Sequence, residues 1–202
     1  MRNAMMRAMA GFLLAVLAVT GNPSLGAEAH DALFREIETR RLELLVLRAK
    51  LLARSGTYLL DVYESPEGVS LDRFLEIRCI ASCKHDKVFR EVVDYHPVAA
   101  FVFHAWEEHF ITTWAVGAVS YGTRIYHVTD EGVRLVLDQA GRGGPRFDVA
   151  PDGSPLVTIT HFQTPISPRS YTTEEVWRWN GREYEPLGER CVDNCDNDNR
   201  VP

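Results

Sequence analysis

Side chains that can bind metal ions or transfer protons are densest between His104 and His109, in the sequence HAWEEH. Zinc-peptidase motifs place two histidines four residues apart, on one face of a helix. His104 and His109 are five residues apart, which turns a helix by about 500°, and in a strand they lie on opposite faces. Regular structure therefore separates them, whereas a hairpin loop could let them converge on a metal with His96 or His127. We expect a structural, hydrogen-bonded role for these histidines.

A second reactive group consists of Cys79, Cys83 and His85, in the pattern C-x-x-x-C-x-H. Two thiolates and one imidazole suit copper(I) or zinc. All four methionines lie within the first nine residues, so the rest of the chain offers no thioether ligand for copper. The stretch also lacks the βαβ pattern of a thioredoxin-like redox motif. We therefore predict a disulfide here rather than a metal site.

Cys191 and Cys195 repeat the same spacing and bring the count to four. In an exported chain an even count predicts two disulfides, and four cysteines allow three connectivities. Local pairs would close small loops. Pairing the middle of the chain with its end would close a loop of ~110 residues and constrain the unfolded chain more strongly. The sequence leaves the connectivity open.

No other motif indicates catalysis or a cofactor. The chain has no G-x-S-x-G sequence of the kind that presents a nucleophilic serine. Residues 193–199 are rich in oxygen ligands but lack the glycine and the final glutamate of an EF-hand loop. We predict no catalytic residue and no cofactor.

Residues 1–27 have the features of a cleaved secretory signal peptide. Arg2 and Arg7 precede an apolar run, residues 9–19, that is too short to span a bilayer, which takes ~20 residues. Small residues follow near Ala27, where cleavage fits. We predict a periplasmic or secreted protein without a membrane anchor, in which residues 28–190 form one domain and residues 191–202 a cysteine-containing acidic tail.

The charge of the chain restricts its partners. The 22 basic and 28 acidic residues give a net charge of −6, and removal of Arg2 and Arg7 with the signal peptide makes it −8. Nucleic acid is excluded as a partner, because phosphate binding needs clustered Lys and Arg, which the sequence lacks. A protein partner, above all a cationic one, or a neutral ligand fits better.

The longest helical pattern covers residues 31–54. Leucines and other apolar residues recur there at spacings of three, four and seven, with no Gly or Pro until Gly56. We expect an N-terminal amphipathic helix that packs across the following sheet. The same helix could instead mediate self-association.

The rest of the chain alternates as strands and repeats with a period of about 50 residues. One unit begins at Asp94 and ends in a hairpin over residues 123–137, and a second begins at Asp148 and ends in a hairpin over residues 176–187. The predicted fold class is α+β and mostly β, with one N-terminal helix followed by antiparallel sheet built from two blade-like units.

The second hairpin, VWRWNGREYEPL, is the clearest in the sequence. Asn180 and Gly181 tolerate positive φ and predict a two-residue type I′ turn. Alternation then places Trp177, Trp179 and Tyr184 on one face. Such a face could form a platform for sugars or peptides, but burial against a core is the commoner use of aromatic residues, and we expect burial.

The phrases FDVAPDGSPLVTIT and EVWRWNGREYEPL resemble strand and hairpin units of exported bacterial β-propeller and integrin-like repeat proteins. The resemblance implies a β-rich scaffold and no activity. Calcium loops in that family carry closely spaced Asp residues, and the spacing of Asp148 and Asp152 does not match them.

From these features we predict a non-catalytic exported domain that acts by binding a protein or a neutral ligand. The alternative is a periplasmic metal-binding protein or metal-dependent enzyme. That alternative would use His104 and His109, or the second reactive group of two cysteines and one histidine.

Overall fold

The computed structural model describes residues 44–64, 73–84, 88–103, 105–163 and 170–195. Within these ranges the chain forms twelve strands and no helix. The strands are β1 Leu45–Ala53, β2 Gly56–Glu64, β3 Arg73–Ala81, β4 Phe89–Val93, β5 His96–Phe101, β6 His109–Ala115, β7 Ser120–Thr129, β8 Gly132–Arg142, β9 Arg146–Val149, β10 Pro155–Gln163, β11 Tyr171–Trp179 and β12 Tyr184–Asp193.

The strands form three antiparallel sheets of four strands each. The first sheet has the order β1-β2-β3-β4, the second β5-β6-β7-β8, and the third β12-β11-β10-β9. Their first strands begin at Leu45, His96 and Arg146, so the predicted spacing of about 50 residues runs through the whole described chain. The two predicted units correspond to the second and third sheets, and a further four-stranded sheet precedes them.

The predicted helix over residues 31–54 is wrong in its second half. Residues 45–53 form strand β1, which pairs with β2 in a register that places Lys50 opposite Leu59. The same residues also alternate with period two, since Leu47, Ala49 and Leu51 contact the core while the side chains between them point away from it. Pairing with β2 decides between the two patterns. Residues 31–43 and the predicted signal peptide lie outside the described residues.

The second sheet lies between the other two and is buried on both faces. Phe110 and Trp114 of β6 enter the first core, shared with the first sheet, whereas Ile111 enters the second core, shared with the third sheet. This explains why residues 109–115 are buried almost without interruption rather than alternately. Each such apolar side chain contributes about 1.5–3 kcal/mol of transfer free energy.

The two junctions between sheets are built from different strands. The first and second sheets approach mainly through β1 and β5, and the second and third through β8 and β10. At the latter junction Gly141 is required, since a Cβ there would lie 2.4 Å from Cγ2 of Ile159 and 2.6 Å from the carbonyl oxygen of Thr160. A propeller repeats one kind of contact between successive blades, and these two junctions do not.

Both disulfides are local. Cys79 pairs with Cys83 and Cys191 with Cys195, with Cα atoms 6.1 and 5.8 Å apart. The pairing of the middle of the chain with its end is therefore not formed. Cys191 belongs to β12, which continues to Asp193, and residues 196–202 of the predicted tail lie outside the described residues. Among the described residues, no helix is long and apolar enough to cross a membrane.

Candidate functional site

The hairpin between β11 and β12 closes through a four-residue loop rather than the predicted two-residue turn. Trp179 pairs with Tyr184, and the N–H of Asn180 donates to the carbonyl of Glu183 at 3.1 Å. The Asn180 side-chain oxygen accepts from the N–H groups of Arg182 and Glu183, at 2.8 and 2.9 Å. Positive φ occurs at Gly181 but not at Asn180. The type I′ prediction is wrong because the Asn180 side chain satisfies the loop amides itself.

The predicted aromatic face is present despite the changed register. Trp177, Trp179 and Tyr184 all pack in the second core, where Tyr184 is 5% exposed. The two indoles are half-buried. The Tyr184 hydroxyl and the indole N–H of Trp177 have no hydrogen-bond partner in the described structure. The face therefore serves mainly as core, as the alternation predicts.

Two histidines lie behind this face. His109 of β6 and His127 of β7 are cross-strand partners, and their rings stack with centroids 4.8 Å apart. Trp179 packs edge-on against both rings, at 4.8 Å from each. The Nδ1–H of His109 donates to the carbonyl of Glu107 at 2.8 Å, so Nε2 is the bare nitrogen, and it has no described partner. Burial and the neighbouring His127 lower the pKa of His109 to about 4.

Glu108 contacts the ring of His127. Its carboxylate lies 3.6 Å from Nε2 of His127, and its carbonyl accepts from the N–H of Val128 at 2.8 Å. Its φ of +69° is sparsely populated by residues other than glycine. Burial lowers the pKa of His127, while the charge and hydrogen bond of Glu108 act in the opposite direction.

An open pocket of about 630 Å³, which we call the tip pocket, lies where the β9–β10 loop meets the β11–β12 hairpin. Its lining includes Arg178, Asp152, Ser154, Asn180, Glu185, Leu187 and part of Trp179.

The charged groups of the tip pocket bond to other residues of its lining. Arg178 forms an ion pair with Asp152, and Asn180 donates to the carboxylate of Glu185. Asp152 also accepts from the hydroxyl and the N–H of Ser154, at 2.7 and 3.1 Å, and these bonds are the main reason that its pKa is lowered. The tip pocket thus offers an ion pair and a hydrogen-bonded carboxylate beside the apolar surface of Leu187.

Family models, curated proteins and solved structures were all compared with this chain, and none of them matches it.

The two predicted cysteine ligands are bonded to each other. Cys79 and Cys83 form a disulfide, so their sulfurs are not free thiolates. His85 and His104 lie outside the described residues.

The other predicted ligands, His96, His109 and His127, do not form a common site. His109 does meet His127, as a hairpin allows, but stacked rings direct their in-plane lone pairs side by side rather than at a common ion. His96 lies elsewhere, bonded to Glu64 and Arg73. Within the described ranges, no group of three or more ligand-type side chains is placed to hold a metal.

The tip pocket was not predicted from the sequence. Its two charged partners, Asp152 and Arg178, are 26 residues apart and meet because β10 and β11 pair with Leu156 opposite Arg178. The signal that could have indicated it is the turn sequence Asp152-Gly153-Ser154 next to the hairpin tip.

Proposed function

We propose that this chain is an exported, non-catalytic binding domain whose tip pocket contacts a protein partner. The observation that carries the proposal is that one pocket combines an ion pair and a hydrogen-bonded carboxylate with exposed apolar surface. Leu187 is 59% exposed and lies beside Arg178 and Glu185. Mixed surfaces of this kind, with apolar contact area and oriented charges around it, are typical of protein interfaces.

The chemistry of the pocket favours binding over catalysis. Asp152 is held ionised by Ser154 and Arg178, and a general acid needs the opposite, a raised pKa. Glu185 is engaged by Asn180. The histidine pair lies behind Trp179, with His109 only 2% exposed, and so is enclosed in the core.

Export is supported by the two disulfides and by the predicted signal peptide. Disulfides persist in oxidising compartments and are rare in the cytosol. Two bridges among the four cysteines therefore fit a periplasmic or secreted location.

The test is a selection from a random peptide library displayed on phage, followed by affinity measurement with purified variants. Leu187→Asp should weaken the selected peptides at least about tenfold, since it places a carboxylate in the apolar part of the pocket. Arg178→Ala should also weaken them. Both variants should keep the thermal stability of the parent, because both positions are at the surface.

The matched control is Leu52→Asp, at a leucine that is 75% exposed on the first sheet. It should leave peptide affinity unchanged. A library that yields no binder, or binders equally sensitive to both leucine substitutions, would overturn the proposal. A stoichiometric, tightly held transition metal in protein purified without chelators would instead support the metal-dependent alternative.

A further inference from the structure

A second open pocket, which we call the seam pocket, lies at the junction of the second and third sheets. It has a volume of about 430 Å³ and is lined by residues at the ends of β8 and β10 and at the start of β7. The lining includes Ser120, Arg142, His161, Phe162 and Gln163. It lies at the opposite end of β10 from the tip pocket, so the two sites are independent.

The lining of the seam pocket carries a cation and no anion. Arg142 lines it and no carboxylate among the described residues does, in a chain whose net charge is −6. The Glu175 carboxylate lies behind the lining, 3.4 Å from Nε2 of His161. Arg142 also has no acidic partner among the described ion pairs, unlike Arg178 in the tip pocket. A guanidinium without a carboxylate partner, at the wall of an open pocket, is suited to bind an oxyanion.

Stacking positions this guanidinium without using its donors. The Arg142 Cζ atom lies 4.2 Å from the centre of the Phe162 ring. Contact with the ring occupies one face of the guanidinium and leaves its in-plane N–H groups available. Phe162 is therefore a positioning residue for Arg142.

The walls of the pocket are fixed by the backbone. Gly141, next to Arg142, packs so closely on Ile159 and Thr160 that it holds β8 against β10. On the other side of the pocket, the N–H of Gly143 donates to the carbonyl of Val119 at 3.1 Å, which connects the end of β8 to the start of β7. The backbone on both sides of the pocket is therefore held before a ligand binds, which lowers the entropic cost of ordering it.

We propose that the seam pocket binds a small organic carboxylate with a flat apolar body. The carboxylate would accept two hydrogen bonds from the guanidinium of Arg142, with the hydroxyl of Ser120 and the amide of Gln163 as further donors. The apolar body would contact Phe162 and Val119, which are 43% and 51% exposed. The volume suits a ligand of metabolite size.

Benzoate is the probe, and benzamide is its neutral counterpart of the same shape. Titrations of the isotope-labelled protein, followed by two-dimensional NMR, should show saturable shifts with benzoate at a dissociation constant of about 1 mM or below. The shifted amides should lie at residues 140–142 and 161–163. Benzamide should bind at least about tenfold more weakly, because it has no charge for Arg142.

Variants assign the effect to one side chain. Arg142→Ala should weaken benzoate at least about tenfold, and Arg142→Lys should be intermediate, since lysine keeps the charge but not the fork. The matched control is Arg182→Ala, at an arginine on the hairpin loop far from this pocket, which should change nothing. Equal binding of benzoate and benzamide, unchanged affinity in Arg142→Ala, shifts located elsewhere, or no saturable shift would each overturn the proposal.

Discussion

The imidazole rings of His109 and His127 lie face to face, with centroids 4.8 Å apart and planes inclined by 24°. Trp179 and Tyr184 from the third sheet pack against the ring of His109. The charged neighbours of His127 are Glu108 and Arg134, of opposite sign. Two positive charges could not be placed here without desolvation and mutual repulsion. Protonation of His109 is therefore unfavourable, and the packing of Trp179 and Tyr184 against its ring is favoured while that ring is neutral.

Stability should fall as the pH drops through the range of histidine titration. The pKa of His109 is about 4 in the folded protein, against about 6.5 for an unperturbed histidine. Between these values the unfolded chain binds more protons, so the free energy of unfolding decreases as pH falls, by up to about 3 kcal/mol. Urea unfolding at about pH 7 and about pH 5 measures the change.

His109→Phe is the matched variant, because it keeps an aromatic ring of similar size but cannot be protonated. Its stability should depend less on pH over the same window. Asp61 and Glu174 have lowered pKa values, so the stability that they contribute is lost only near and below their ordinary values of 3.8 and 4.5. An unchanged pH dependence in His109→Phe would show that other groups carry it.

Tyr126 and Tyr184 provide a second test, because both side chains are buried but only one of the two hydroxyls has a hydrogen-bond partner in the described structure. The Tyr184 hydroxyl has no partner in the described structure, whereas the Tyr126 hydroxyl donates to Glu91 at 2.9 Å. Tyr184→Phe should therefore leave stability unchanged or raise it by about 1 kcal/mol, and Tyr126→Phe should lower it by about 2 kcal/mol. Chemical denaturation of both variants measures this difference, and equal losses would contradict it.

The close passage of β8 over β10 predicts a strong effect of one methyl group. Gly141→Ala places a Cβ 2.6 Å from the carbonyl oxygen of Thr160. This oxygen belongs to the backbone of β10, so it cannot move aside as the end of a flexible side chain could. The variant should lose about 1–3 kcal/mol or more, as overpacked cores do. Gly144→Ala, where no atom lies within 4 Å of the added carbon, should be close to neutral. Thermal melts of the pair test this, and a neutral Gly141→Ala would show that the two strands separate easily.

Sequence patterns predicted the strands and hairpins of the second and third sheets better than the first strand, β1. The repeat of about 50 residues and the hairpins were readable because strand alternation and turn residues are local signals. The sequence of β1, LVLRAKLLA, satisfies both a helical and an alternating pattern, and leucine and alanine favour helices. Only pairing with β2, residues 56–64, selects the strand. That contact is not visible in the pattern of one segment.

The candidate sites were harder to predict because they depend on register. His109 meets His127 only because β6 and β7 pair in one particular alignment, and a shift by one residue would place the rings on opposite faces. The hairpin shows the same limit, since the side chain of Asn180 lengthened the loop and moved Tyr184 opposite Trp179. The stacking of Arg142 on Phe162 depends on how β8 and β10 meet, and no local pattern indicates it.

The disulfide pairing can be checked directly by mass mapping of the non-reduced protein. Trypsin cuts after Arg78, Lys84, Arg190 and Arg200, so each local bridge stays within one peptide, residues 79–84 or 191–200. Each peptide should be lighter by two hydrogens than its reduced form. A cross-linked product of the two peptides would show long-range pairing instead.

The energetic effect of the bridges follows from their short loops. Closing a loop of about five residues reduces the entropy of the unfolded chain by the equivalent of about 2 kcal/mol, against about 4.7 kcal/mol for ~100 residues. Replacing Cys191 and Cys195 together by serine should therefore cost about 2 kcal/mol or less in urea unfolding. The single variant Cys191→Ser is the less suitable comparison, since it leaves the thiol of Cys195 free to exchange with the other bridge. A loss near the larger value in the double variant would mean that this bridge constrains more of the chain than the five residues it encloses.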